Sequence, residues 1–366
     1  MTKILHINKG YTLYGGVEEY IRKIVLKSGD FGDEFKIDVL AIAKDNKSNY
    51  FNIGNSVIRE CRLTFKMGSF RFSFEFLFRF LLLYRKYDVL HFHFPNPLGE
   101  LIVLLISPFT SSRILYTYHN DVTEEKTGSK IYNKFALKAL SKADKVVATS
   151  PNIFTTSKVL RQIPANKQYC IPLGVPIMKE NQRDINDITS GLSLIYVGRL
   201  VKLKGVSFLI EAVGNLPNCT LDIVGSGVEM ENLKKLAFNL GARVHFHGYV
   251  QEERKNELLN NADVLILPSI TRGEGFGYVL LEAMERSCAL ICTELGTGTS
   301  YVNVHESTGF VIEPKSSEQL SQGIDRYSKD PELLKTHQNN ARLRCAEEFS
   351  DQKFVQNIIC LYRNND

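Results

Sequence analysis

The feature that most limits what this chain can fold into is its rhythm. Short apolar runs alternate with amphipathic segments of about a dozen residues, and the pattern stops once and then restarts. Such runs suit strands, and segments of that length suit crossover helices, so the alternation predicts βαβ units and parallel sheets. In the first series, strands are predicted at Lys3–Asn8, Ile37–Ile42, Val57–Cys61, Val89–Phe94, Arg113–His119 and Lys145–Thr149. Gly174-Val175-Pro176 closes it, and Lys179–Gly191, polar and rich in Asn and Asp, reads as a linker. The second series predicts strands at Leu194–Val197, Thr220–Val224, Val244–Phe246, Val264–Leu267 and Ala289–Thr293. Its helices fall at Val206–Gly214, Val228–Leu240, Glu252–Asn261 and Tyr278–Arg286, and the chain is mostly helical from Ser316, with breaks at Pro331 and near Ser350. The expected layout is therefore α/β: a Rossmann-like domain over 1–178, a linker over 179–191, a second Rossmann-like domain over 192–348, and a C-terminal helix over 349–366 that can return to the first. Two doubly wound halves place a ligand cleft where the carboxyl ends of two sheets face each other.

Composition narrows the class. The chain has 366 residues, 44% hydrophobic and 23% charged, which excludes a disordered chain, a collagen-like fibre or a coiled coil. The net charge of +5 hides an asymmetry: residues 1–178 hold 25 Lys/Arg against 15 Asp/Glu, and the remainder 20 against 25. Two halves with different partners, one of them anionic, are implied. Seven cysteines with no Cys-x-x-Cys pair suit reduced thiols of a cytoplasmic protein. The start of the chain is too interrupted for a signal peptide. The most apolar runs, Phe76–Tyr84 and Leu98–Phe109, are broken by Arg79, Glu100 and Pro108, so a cytoplasmic chain, free or peripheral on the inner face of the membrane, is expected.

The strongest constellation is Pro268-Ser-Ile-Thr-Arg-Gly-Glu-Gly-Phe-Gly-Tyr-Val-Leu-Leu-Glu282. A buried strand ends, a glycine-rich loop follows, and a helix starts near Gly277. The first N–H groups of a helix lack internal partners and carry the positive end of its dipole, which suits a phosphate or diphosphate. Gly275 and Gly277 allow close approach to that backbone. Glu274 and Glu282 would repel a diphosphate, so they should face hydroxyls, one on a ribose and one on a sugar. Phosphate also needs cations. Gly198-Arg199 ends a strand, and Lys202 and Lys204 precede Gly205 and a helix.

Together, Gly198-Arg199…Lys204-Gly205, the two carboxylates at Glu274 and Glu282, and Gly15-Gly16-Val17-Glu18 resemble glycosyltransferase family 4: retaining, nucleotide-sugar-dependent enzymes of the GT-B fold. The resemblance implies that Arg199 and Lys204 bind the donor diphosphate, that Glu274 contacts the donor sugar and that Glu282 holds the ribose. It brings Gly15 and Gly16 toward the diphosphate, and matches His119, in Tyr116-Thr-Tyr-His-Asn-Asp121, to a histidine near the transferred sugar. The family often has His-Asp there; here Asn120 intervenes, and only the histidine is carried over. Further donor-side residues on this reading are Phe276, Gly227 of Gly225-Ser-Gly227, and Gly248, Tyr249 and Val250, whose segment resembles one that meets the nucleobase. No Asp-x-Asp occurs, so Arg199, Lys204 and helix dipoles are expected to stabilise the leaving diphosphate without metal or other cofactor. The expected donor is a UDP- or GDP-sugar, and the expected acceptor a saccharide, free or on a polyprenyl diphosphate. No nucleic acid partner is expected.

Gly225-Ser-Gly227 could instead open a dinucleotide site of an NAD-dependent oxidoreductase or epimerase, but position 247, where a ribose-binding acid would stand, is His. A non-catalytic subunit of the same fold would have no need of Arg199, Lys204, Glu274 and Glu282 together. His245/His247 and His91/His93 each alternate along a strand, and one of each pair is expected in the core with the other in solvent. Phe70–Lys86, aromatic and basic, reads as a helix packed on a sheet, with a membrane-surface helix as the alternative. Glu294–Asn303 reads as a loop at the cleft mouth, resembling one in bacterial enzymes that build surface polysaccharides with mannose-type donors.

Overall fold

The computed structural model of the chain describes residues 1–12, 16–68, 70–122, 128–178 and 191–363. It forms two compact units, Met1–Leu173 with Gln352–Asp366, and Gly174–Asp351. The expected linker, except Gly191, and Gly15 fall on residues outside those described.

The first unit is built on strands β1 (Thr2–Ile7), β2 (Phe35–Ile42), β3 (Asn49–Ile53), β4 (Ser56–Cys61), a separate hairpin of β5 (Phe65–Met67) and β6 (Phe70–Phe72), then β7 (Val89–Phe94), β8 (Arg113–Tyr118), β9 (Lys145–Ala148) and β10 (Gln168–Cys170). The eight-stranded sheet runs β10-β9-β8-β7-β1-β2-β4-β3, parallel except for β3 at its edge. Helices α1 (Gly16–Leu26), α2 (Phe74–Leu83), α3 (Pro97–Ile106), α4 (Ser129–Leu140) and α5 (Asn152–Thr156) connect the strands.

Strand side chains alternate between faces, and on β7 this separates two chemistries. Phe92 and Phe94 join Phe76, Phe80, Leu98, Ile102, Ala136 and Leu140 in an apolar cluster on one side. His91 and His93 point to the other, and both are fully buried. The expectation of one core and one solvent histidine therefore fails: residues two apart on a strand share a face, and β7 is a central strand covered on both sides.

The hairpin and α2 replace the single helix expected over Phe70–Lys86. Phe70–Phe72 pairs with Phe65–Met67. The helix begins only after Ser73, whose Oγ accepts from Phe76 N at 3.0 Å, an N-cap that satisfies one of the unpaired first-turn donors. Helix α2 buries Phe76 and Phe80 yet leaves Phe74, Phe78, Leu81 and Leu82 exposed.

The second unit contains β11 (Leu192–Val197), α6 (Val206–Gly214), β12 (Cys219–Val224), α7 (Met230–Asn239), β13 (Val244–Gly248), α8 (Glu252–Asn261), β14 (Val264–Leu267), α9 (Tyr278–Glu285), β15 (Ala289–Thr293), α10 (Thr299–Val302), β16 (Gly309–Ile312), α11 (Ser317–Lys329) and α12 (Pro331–Glu348). Its all-parallel sheet runs β13-β12-β11-β14-β15-β16. The order reverses between β11 and β14, so the loops after those two strands leave the sheet on either side of its switch point, where doubly wound sheets bind ligands. The last helix, α13 (Asp351–Arg363), packs in the first unit: Phe354 meets Tyr20 edge to face, and Arg363 pairs with Glu34.

Candidate active site

In the second unit the two loops at the switch point are tied to each other by backbone. Ile270 N donates to Leu203 O at 2.9 Å, and Gly205, with φ 66°, comes so close that a Cβ there would stand 2.1 Å from Pro268 O. Only glycine fits that position. The Lys204 ammonium forms an ion pair with the Glu274 carboxylate, which also accepts from Ser269 Oγ at 3.0 Å. Arg199 is exposed and makes no ion pair among the described residues, leaving a guanidinium open to an anion. Its carbonyl accepts from the buried Tyr196 hydroxyl at 3.0 Å, which fixes the loop backbone.

Helix α9 starts at Gly277, in the left-handed region at φ 76°, with no side chain capping its first turn. Leu280 N donates back to Gly277 O at 2.8 Å, and the positive end of the helix dipole lies at this turn. The loop ahead of it is braced from behind: Thr297 Oγ1 donates to Glu274 O at 2.7 Å and Gly298 N to Gly275 O at 2.7 Å. Leu295, Thr297, Gly298 and Thr299 are buried. Most of the segment expected at a cleft mouth therefore supports the Glu274 loop, because its small residues let two backbones meet. Phe276 is buried against Phe349, so what it offers a ligand is its backbone.

Glu282 lies on α9, and its Oε1 accepts from Lys255 Nζ of α8 at 2.6 Å. Burial holds the Glu282 carboxyl above its ordinary value, against the pull of Lys255. Burial also opposes the charge of Lys255, but Glu282 and Glu252 more than offset it and raise its pKa. Each of the two carboxylates therefore has its own lysine.

Gly225-Ser-Gly227 packs against the chain itself. Cβ atoms at Gly225 and Gly227 would lie 1.9 Å from Gly198 O and 2.1 Å from Leu200 O. Glycine at both positions is what lets the Gly198–Leu200 loop pack so closely. Gly225 N donates to Gly248 O at 2.7 Å, and Tyr249 beyond it is exposed. His245 and His247 share a face of β13 and both approach Asp222, His247 Nε2 at 2.6 Å from Asp222 Oδ1. On this edge strand neither is a core residue, for the same reason of two-residue spacing.

Comparison with known proteins agrees with this geometry. Residues 178–344 match the glycosyl transferases group 1 family and residues 14–179 match Glycosyltransferase Family 4. D-rhamnosyltransferase WbpZ of Pseudomonas aeruginosa is 31% identical over 95% of this chain and 92% of its own. The chain is a family 4 glycosyltransferase. The transferase is also 28% identical to O-antigen chain mannosyltransferase C of Escherichia coli, over 98% of each chain. Its fold is that of sucrose-phosphate synthase from Thermosynechococcus elongatus (TM-score 0.79, 22% identity, 99% of this chain and 98% of the other). Anabaena HepE, solved with UDP, is similarly close (TM-score 0.77, 18% identity, 98% and 99%). This is the GT-B class of two Rossmann-like units.

In the first unit of the transferase, Gly16 opens α1 and His119 follows β8. His119 is part-buried, its Nε2 lies 3.0 Å from His93 Nδ1, and burial pushes its pKa down to about 3. Lys255, Ser269 and Thr297 were not legible as site residues. The Glu252–Lys255 pair looks like a solvated helix pair, and nothing in sequence links Lys255 to a carboxylate 27 positions later. No described helix is long and apolar enough to cross a membrane.

Proposed function

We propose that the transferase moves a hexose, of mannose type or related, from a UDP- or GDP-sugar to a saccharide acceptor, with retention and without a metal. The observation that carries this is the Lys204–Glu274 ion pair, which joins the two switch-point loops that also carry the exposed Arg199 and lead into α9. It offers cations and N–H donors for a diphosphate beside a carboxylate for sugar hydroxyls. On this reading Arg199, Lys204 and the α9 N–H groups take up the charge of the departing diphosphate. Glu274 orients the donor sugar, Glu282 receives the ribose hydroxyls, and His119 serves the transferred sugar. The departing phosphate oxygen helps deprotonate the acceptor hydroxyl on the same face. The curated relatives, an O-antigen chain mannosyltransferase and an N-acetylgalactosaminyltransferase acting on a diphospho-undecaprenol-linked saccharide, support a role in surface polysaccharide synthesis with a lipid-linked acceptor.

The exposed Phe74, Phe78, Leu81 and Leu82 of α2, with Leu101 and Leu105 of α3 and Phe109 beyond it, support peripheral contact with an anionic leaflet from the basic first half.

The deciding experiment is a thermal-shift panel with UDP, GDP, ADP and NAD on the wild type and Glu282→Ala. A ligand at 100 times its dissociation constant stabilises by about 2.7 kcal/mol, a shift of several degrees. A shift with UDP or GDP that weakens in Glu282→Ala is expected. A shift with NAD alone overturns the reading.

A further inference from the structure

Four of the eight histidines gather on one face of the first unit's sheet. His6 on β1 stands beside His91 on β7 in the parallel register, and His93 beside Thr117 on β8. Tyr362 of α13 comes down on this face. The polar atoms form one unbranched chain. Thr117 Oγ1 lies 2.7 Å from His91 Nε2, and His91 Nδ1 lies 3.0 Å from Tyr362 Oη. That hydroxyl lies 2.9 Å from His6 Nε2, His6 Nδ1 2.9 Å from His93 Nε2, and His93 Nδ1 3.0 Å from His119 Nε2. Every member but His119 is fully buried.

Each imidazole is entered through Nε2 and left through Nδ1. A neutral imidazole has one donor and one acceptor, and burial lowers all four pKa values, keeping the rings neutral. Two adjacent rings cannot both offer N–H, or both a lone pair, across one contact without leaving a buried group unpaired. All four must therefore carry the proton on the same nitrogen. His6, His91 and His93 are also the one group of three or more ligating side chains that converge among the described residues, with ligand atoms within 4.8 Å of one another. Yet each nitrogen is already spent on a neighbour, which leaves no lone pair for an ion.

We propose that Tyr362, through His6 and His93, fixes the tautomer of His119, and that Thr117–His91–Tyr362–His6–His93 is a positioning chain that presents His119 Nδ1 in a single donor or acceptor state. The role of that nitrogen in transfer rests on the assignment of His119 above.

The test is a two-bond ¹H–¹⁵N spectrum of the full chain, ¹⁵N-labelled at histidine, with kinetics alongside. In the wild type the four rings are expected to be neutral and to share one tautomer with the proton on Nε2, since a chain cut at Tyr362 would by itself settle on Nδ1 at His119. Thr117→Val leaves His91 Nε2 facing a methyl group. Because a stranded buried N–H is less tolerable than a stranded lone pair, all four should then carry the proton on Nδ1. Tyr362→Phe cuts the chain in the middle, so His91 should keep the proton on Nε2 while His6, His93 and His119 move it to Nδ1. Its kcat should fall on the order of tenfold or more while the donor KM holds, a pattern that lost stability alone does not give. Mixed tautomers or an imidazolium in the wild type overturn the proposal, as does stoichiometric bound metal by elemental analysis. So does a Tyr362→Phe protein with intact transfer. If the wild type itself transfers no sugar, the functional assignment fails, while the spectra still decide the chain.

Discussion

Lys255 Nζ lies 2.6 Å from Glu282 Oε1, and both side chains are largely buried, at 15% and 14% exposure. On the proposed reading Glu282 receives ribose hydroxyls and must stay ionised where burial favours its neutral form, and Lys255 supplies the opposing charge. Removing one partner of a buried pair costs about 3 kcal/mol or more. Lys255→Met is thus expected to lower Tm by several degrees and to raise the donor KM, with the nucleotide thermal shift as a second readout. An unchanged KM would remove Lys255 from the site.

Glu274→Gln keeps the shape of the loop but gives up the charge that faces Lys204. Tm should drop by several degrees, because Lys204 and Glu274 are as buried as Lys255 and Glu282. The nucleotide thermal shift should survive, and kcat should fall roughly 10²-fold or more, the scale of losing one preorganised charged contact. Wild-type activity should persist in EDTA. Activity abolished by EDTA and restored by Mg²⁺ would refute the metal-free assignment.

Gly225 stands at φ 132°, and an added Cβ would fall 1.9 Å from Gly198 O, a backbone atom that cannot rotate away. Gly225→Ala should therefore destabilise by about 3 kcal/mol or more, through strain and overpacking together. Calorimetry on the purified variant is the check, and a Tm within a degree of wild type would contradict the packing described.

The buried histidines set the response to acid. His6 and His119 are pushed down to about 3 from an ordinary 6.5, and His91 and His93 lie well below it. The unfolded chain binds protons here that the folded one does not, so stability is lost as pH falls from about 6.5. Glu100 has the opposite sign: burial raises it from 4.5 to about 7, so its cost grows as pH rises through that window. Glu18 and Glu282 are raised as well and His337 is lowered. The histidines outnumber the carboxyls and start from 6.5 where the carboxyls start from 4.5, so Tm should fall below pH 6.5. Glu100→Gln should steepen the fall. A flat profile between pH 5 and 7 would count against both.

The exposed aromatic stripe of α2 should carry the chain onto liposomes, and the basic first half should make that flotation depend on anionic lipid. Phe74→Ser/Phe78→Ser should abolish flotation with little change in Tm, since neither side chain is buried. Flotation independent of lipid charge would remove the membrane assignment.

Sequence alone determined whatever rests on local order. Alternation of apolar runs marked the strands; Val264–Leu267 and Glu252–Asn261 lie where periodicity puts them. Glu274, Gly277 and Glu282 were legible because one strand, one loop and one helix carry them within a short segment. Short strands without a strong apolar run, such as Asn49–Ile53 and Gln168–Cys170, were not, since pairing rather than propensity makes them strands. Only the tertiary structure decided which lysine serves which carboxylate, and only it joined His6, His91, His93, His119 and Tyr362 into one chain. Parallel pairing brings residues 85 positions apart side by side, and α13 adds a tyrosine 356 positions from the histidine it meets. Spacing along a chain has no way to encode such a neighbour until the register of the sheet exists.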